Sequence, residues 1–91
     1  MYLGEWRENK ITGLGTYSWL DGRKYAGEWY LNNMEGIGIY IWADGRLFQG
    51  EYKDDKKHGY GIYIWADNRK YSGEWLAGKQ HGLGVYEVPA D

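Results

Sequence analysis

The stretch Tyr25-Ala-Gly-Glu-Trp29, followed by Gly36-Ile-Gly-Ile-Tyr-Ile-Trp42 and the tripeptide Ala43-Asp44-Gly45, returns along the chain at intervals of 23 residues. Its first block recurs as Tyr2-Leu-Gly-Glu-Trp6, Phe48-Gln-Gly-Glu-Tyr52 and Tyr71-Ser-Gly-Glu-Trp75. The second block recurs as Gly13, Gly15, Tyr17, Trp19, as Gly59, Gly61, Tyr63, Trp65, and as Gly82, Gly84, Tyr86, with Val88 in place of the last tryptophan. A fixed period of this length marks a stacked array whose units cannot each bury a core alone. The expected organisation is one array over residues 1–91, with repeats 2–24, 25–47, 48–70 and 71–91, reading as a segment of a longer array.

Within each repeat, large apolar residues alternate with the residues between them over 24–29 and again over 36–42, the two-residue period of a strand. Two strands per repeat follow. Asp21-Gly22, Asp44-Gly45 and Asp67-Asn68 stand where one strand must reverse into the next, and Gly or Asn accepts the left-handed backbone such a reversal needs. The other connections, 30–35 and 53–58, are rich in Asn, Asp and Lys and read as hairpin loops of about six residues. If Ala43-Asp44-Gly45 is a three-residue loop, Trp42 faces Arg46, Tyr40 faces Phe48 and Gly38 faces Gly50. All Tyr, Trp and Gly positions then share one face, with rings lying over glycines. A two-residue loop would instead place Phe48, Gly50 and Tyr52 with the isoleucines. The predicted fold is all-β: an elongated, twisted, single-layer antiparallel sheet of stacked hairpins, on the order of 40 Å long at about 10 Å per repeat.

These residues resemble the MORN repeat (membrane occupation and recognition nexus), whose pattern is Tyr-x-Gly-x-Trp, a polar loop, then Gly-x-Gly. The likeness runs over nearly the whole chain, with Phe48, Tyr52, Asn68 and Val88 as departures. It implies a non-enzymatic array that binds protein partners or itself, within larger cytoskeletal or ciliary scaffolds, and an association with phosphoinositides.

Composition is consistent with that. Fifteen glycines and 17 aromatic residues (6 Trp, 10 Tyr, 1 Phe) accompany a single proline, and 13 acidic and 11 basic residues are interspersed to a net charge of −2. No basic stripe for nucleic acid is evident. There is no cysteine for a disulfide or thiolate metal site, and no apolar run of signal or membrane length. A cytoplasmic protein without cofactor is the expectation.

Two faces compete as partner sites. Trp6, Tyr17, Trp19, Trp29, Tyr40, Trp42, Tyr52, Tyr63, Trp65 and Trp75 would form an aromatic groove for a helix or extended peptide, since such rings are favoured anchors; they are equally the ladder that holds the sheet together. Ile37, Ile39, Ile41, Ile62 and Ile64 would form an alternative docking face, or half-exposed strand filler. Lys53, Lys56, Lys57 and Lys79, placed on hairpin loops, are the candidates for weak contact with anionic headgroups. The row Glu5, Glu28, Glu51 and Glu74 is spaced at about 10 Å, too far for an acid–base pair, and reads as cross-strand partners of lysines such as Lys24 and Lys70. His58 and His81 read as surface residues, with no converging metal ligands.

Overall fold

A computed structural model describes residues 1–89. Eight strands follow in order: β1 (Tyr2–Arg7), β2 (Lys10–Ser18), β3 (Lys24–Tyr30), β4 (Asn33–Ile41), β5 (Leu47–Lys53), β6 (Lys56–Ile64), β7 (Lys70–Leu76) and β8 (Lys79–Glu87). They form one antiparallel sheet in which every strand pairs with its neighbours in sequence. The sheet is open. Its extents of 48 × 27 × 15 Å leave room for one layer and somewhat exceed the expected length. Among the described residues no helix is long and apolar enough to cross a membrane.

The reversal at Ala43-Asp44-Gly45 is the three-residue loop. Trp42 N–H donates to the Arg46 carbonyl at 3.0 Å, Gly45 N–H donates to the Trp42 carbonyl at 3.1 Å, and Gly45 sits at φ 98°. Asn68, at φ 72°, does the same work in the next repeat. Tyr40 therefore faces Phe48 and Gly38 faces Gly50, so the rings and glycines share one side.

The other connections are shorter than expected. Tyr30 pairs directly with Asn33, leaving a loop of only Leu31 and Asn32, at φ 47° and 71°. Positive φ at both central residues is the mirror-image turn whose twist suits a hairpin. The equivalents are Glu8-Asn9, Asp54-Asp55 and Ala77-Gly78. Neighbouring hairpins hold these turns in place: Asn32 donates its N–H to the Ile11 carbonyl and accepts from Ile11 N–H through Oδ1, and Asp55 repeats both bonds with Met34.

Of the six residues expected in the loop 30–35, only Leu31 and Asn32 form the turn; Tyr30, Asn33 and Met34 join the ladder and Glu35 opens a bulge. Gly27 faces Gly38 and Trp29 faces Met34, which sets three residues of β4 against Glu28 alone. Gly36 turns there at φ 84°. The Glu28 carboxylate lies beside it and accepts from Ile37 N–H at 3.0 Å; Glu5 serves Leu14 at 2.7 Å and Glu51 serves Tyr60 at 2.8 Å. Glu5, Glu28 and Glu51 thus cap backbone amides that the bulge takes out of the ladder. Cross-strand pairing with lysines is corrected accordingly: Lys24 stands opposite Ser18 and Ile41, and Lys70 opposite Ile64 and Glu87.

Candidate functional site

The ring-bearing face is largely consumed in holding the sheet together. Tyr25 and Phe48 are fully buried although nothing is layered over them, because each ring lies flat on the glycine of the next strand, Gly38 or Gly61. Their edges are closed by neighbours from the same and the following repeat. Trp29 and Tyr52 stand edge-on to Tyr25 at 5.0 and 5.3 Å, and Tyr52 and Trp75 stand edge-on to Phe48 at 5.5 and 5.2 Å. Trp29 and Trp75 also donate their indole N–H to the Gly15 and Gly61 carbonyls. Trp29, Tyr40, Tyr52 and Trp75 are buried with them, so four of the ten rings considered for a partner groove are spent internally.

A second ladder, Tyr17, Trp19, Tyr40, Trp42, Tyr63, Trp65 and Tyr86, runs beside the three-residue turns with successive centroids 4.5–5.8 Å apart. Each indole in it is roofed by an arginine: Arg23 over Trp19, Arg46 over Trp42 and Arg69 over Trp65. These arginines carry no signal in the repeat's aromatic pattern, yet each also reaches the hydroxyl of Tyr40, Tyr63 or Tyr86 in the next repeat. Asp21, Asp44 and Asp67 pair with them at 2.7–2.9 Å. The Arg23 and Arg46 backbone N–H groups hold Asp21 and Asp44 below the usual carboxylate range, while for Asp67 the Arg69 side chain acts first. Of the proposed groove rings, Tyr17, Trp19, Trp42, Tyr63 and Trp65 remain half-exposed, and Trp6 on β1 is exposed.

Lys57 is a correction. It faces Tyr52 across the ladder and points into the ring face, with its Nζ 5.3–5.7 Å from the centroids of Trp42, Phe48, Tyr63 and Trp75. Ile11 and Met34 hold the corresponding places opposite Trp6 and Trp29. Desolvation lowers the Lys57 ammonium pKa and Arg46 adds to it, in opposition to the attraction of the ring faces for the cation. Lys57→Met, which removes the desolvated charge, should raise the urea midpoint by an increment worth about 1 kcal/mol. A lower midpoint would mean that the cation–π attraction outweighs desolvation. Lys53, Lys56 and Lys79 stay exposed as read, but the set of four loop lysines is broken.

The opposite face presents the other candidate. Ile39, Ile62 and Ile64 are half-buried and Ile41 is exposed; Ile37 is 63% exposed and Tyr60 56%. Leu14, Leu83 and Val85 extend the same face and are exposed as well. In register, Leu14 stands opposite Glu28, Ile37 opposite Glu51 and Tyr60 opposite Glu74, so apolar and acidic residues alternate along the ribbon. The 23-residue period puts Leu14, Tyr60, Leu83 and Val85 on this face, outside the set of five isoleucines taken as the docking face. Among the described residues no group of His, Asp and Glu is arranged to hold a metal ion.

The profile of the MORN repeat matches residues 2–22, 25–45, 48–68 and 71–87. The chain belongs to the MORN repeat family. No curated protein matches it. The family is one of non-catalytic repeat modules, which is consistent with a module for binding or scaffolding, and the geometry separates the structural parts of each MORN repeat from the rest. The Tyr and Trp of the first block with the second Gly of the second block build the ring core; the Glu and the first Gly build the bulge. The residues between the glycines and tyrosine, Leu14, Ile37, Ile39, Tyr60, Ile62, Leu83 and Val85, satisfy no such constraint.

Proposed function

We propose that this MORN array is a non-enzymatic module that binds a protein partner through the face opposite its rings, as part of a larger cytoskeletal scaffold. The cytoskeletal and ciliary setting is taken from the family. One observation carries the choice of face: four of the ten groove rings are buried against one another, whereas on the opposite face Leu14, Ile37, Tyr60, Leu83 and Val85 stand exposed, recurring from repeat to repeat with Glu28, Glu51 and Glu74 between them. Apolar surface of the kind that Ile37, Tyr60 and Ile62 present around one depression is what single proteins usually avoid unless a partner covers it. Recognition of anionic headgroups is less well supported, because Lys57 lies among the rings and Lys53 and Lys56 share their turn with Asp54 and Asp55.

The test uses Ile37→Asp and Trp65→Ala variants whose strand content is verified by circular dichroism. In co-precipitation from a cell extract, Ile37→Asp should lose the retained partner and Trp65→Ala should keep it. Retention by Ile37→Asp would refute the assignment of the face. Sedimentation with phosphoinositide vesicles at physiological salt, abolished by Lys53→Glu with Lys56→Glu, would establish the headgroup reading instead.

A further inference from the structure

The strip has a repeating relief. Between the ridges formed by β4 and β6 lies an open depression of about 320 Å³, walled by Ile37, Tyr60 and Ile62, floored by Gly50, with Gln49 at its side and Glu51 in it. One repeat on, between Tyr60 and Leu83, an equivalent depression of about 350 Å³ is floored by Gly73 and Gly84 and holds Glu74. Each combines apolar walls with a carboxylate, and in the first, one carboxylate oxygen of Glu51 is committed to Tyr60 N–H. The three arginines that form ion pairs with acidic side chains among the described residues all use the turn aspartates, so Glu28, Glu51 and Glu74 draw on none of them. An aliphatic stem that ends in a cation is the side chain that satisfies both parts, which describes Lys or Arg.

Spacing selects the scaffold that delivers such side chains. Two strands advance the ribbon by about 9.6 Å, and seven residues of α-helix advance about 10.5 Å. A helix laid along the ribbon, across the strands, therefore brings one residue per heptad to each depression. Its apolar residues fall between, on Leu14, Ile37, Tyr60 and Leu83. A polyproline helix, at about 9.3 Å per three residues, matches the pitch as well. The α-helix is favoured because backbone groups in the middle of the sheet are already paired, so a partner there must satisfy its own hydrogen bonds.

Resting on the proposed protein-binding role of this face, we infer that its partner is a basic amphipathic α-helix of about three heptads, with Lys or Arg at one heptad position seated against Glu51 and Glu74. Binding to the full 91-residue chain is read by fluorescence anisotropy with three labelled synthetic peptides. The first is a capped 21-residue helix with three Arg seven residues apart and Leu between; the second has the same composition with its three Arg five residues apart; the third is proline-rich with three Arg three residues apart. The heptad helix should bind at least tenfold more tightly than either, with affinity falling as salt rises. Glu51→Gln with Glu74→Gln should weaken it about tenfold, since glutamine keeps an acceptor for the bulge amide but removes the charge. Equal binding of the fifth-residue peptide, tighter binding of the proline-rich one, or indifference to the glutamine variants would overturn the inference. If none of the peptides binds while Ile37→Asp still loses its partner, the helix inference fails and the assignment of the face stands; if Ile37→Asp keeps its partner, that assignment fails first.

Discussion

Gly61→Ala should destabilise the array by about 3 kcal/mol, the upper end of what overpacking a closed core costs. The Cβ that alanine adds would meet the Phe48 ring within contact distance. The ring has nowhere to go. It is fully buried, with Tyr52 and Trp75 edge-on at 5.5 and 5.2 Å and Tyr63 at 6.4 Å. Stability is measured by urea denaturation with tryptophan fluorescence. Two companions give the result its meaning. Gly78→Asn should be close to neutral, because Gly78 occupies the turn place that Asn9, Asn32 and Asp55 fill and a Cβ there meets nothing. Adding Phe48→Leu to Gly61→Ala should recover stability relative to Gly61→Ala alone, since the smaller side chain yields the space. A double variant weaker than Gly61→Ala would show that the glycine is needed for backbone reasons and not to accommodate the ring.

That pairing of ring with glycine was legible in the repeat, as was the three-residue turn, because Gly45 and the residues flanking it leave only one register that gathers Tyr40, Phe48, Gly38 and Gly50 on one side. The two-residue turns were not legible. Leu31 and Ala77 adopt positive φ without any residue type that signals it, held by bonds from the neighbouring hairpin. The column Asn9, Asn32, Asp55 and Gly78 was the available clue, since those types tolerate a left-handed backbone. Misplacing that turn also misplaced Lys57: once β6 begins at Lys56, position 57 aligns with Met34 and Ile11 on the ring side. The glutamates mislead for a different reason. Glu5, Glu28 and Glu51 bond backbone amides, which leave no mark in the side-chain pattern. As for the candidate surface, periodicity put the rings and the isoleucines on opposite faces, but burial depends on how rings from successive repeats close over one another, and only the three-dimensional register settles that.

Because the buried rings include phenols, the same packing should make the protein unfold cooperatively in alkali. Burial raises the pKa of Tyr25 and of Tyr52 well above the ordinary value of 10.0; negative charge on Glu28 and Asp55 adds to the effect at Tyr25, and the neighbouring tyrosines add to it at Tyr52. Native rings thus keep their protons at a pH where the unfolded chain loses them. With fewer protons bound in the unfolded state, stability falls as pH rises above 10, by about 1.4 kcal/mol per pH unit for each ring and about 2.8 for the two together. Lys57 acts with the opposite sign. Its lowered pKa imposes a penalty that is full below the folded value and fades as pH rises toward the ordinary value of 10.5, so over that interval it raises stability before the tyrosines take over. Tyr25→Phe has a precedent in this chain, since Phe48 occupies the same place one repeat on. At pH 7 the substitution should cost about 1 kcal/mol, for the hydroxyl that donates to the Glu28 carbonyl at 3.0 Å. In alkali the order should invert. Tyr25→Phe combined with Tyr52→Phe should move the alkaline midpoint, followed by circular dichroism and by absorbance at the tyrosinate band, upward relative to the unsubstituted protein. An unmoved midpoint would mean that these two phenols are solvated in the native state, and with that the account of a single sheet buried by its own rings would fail.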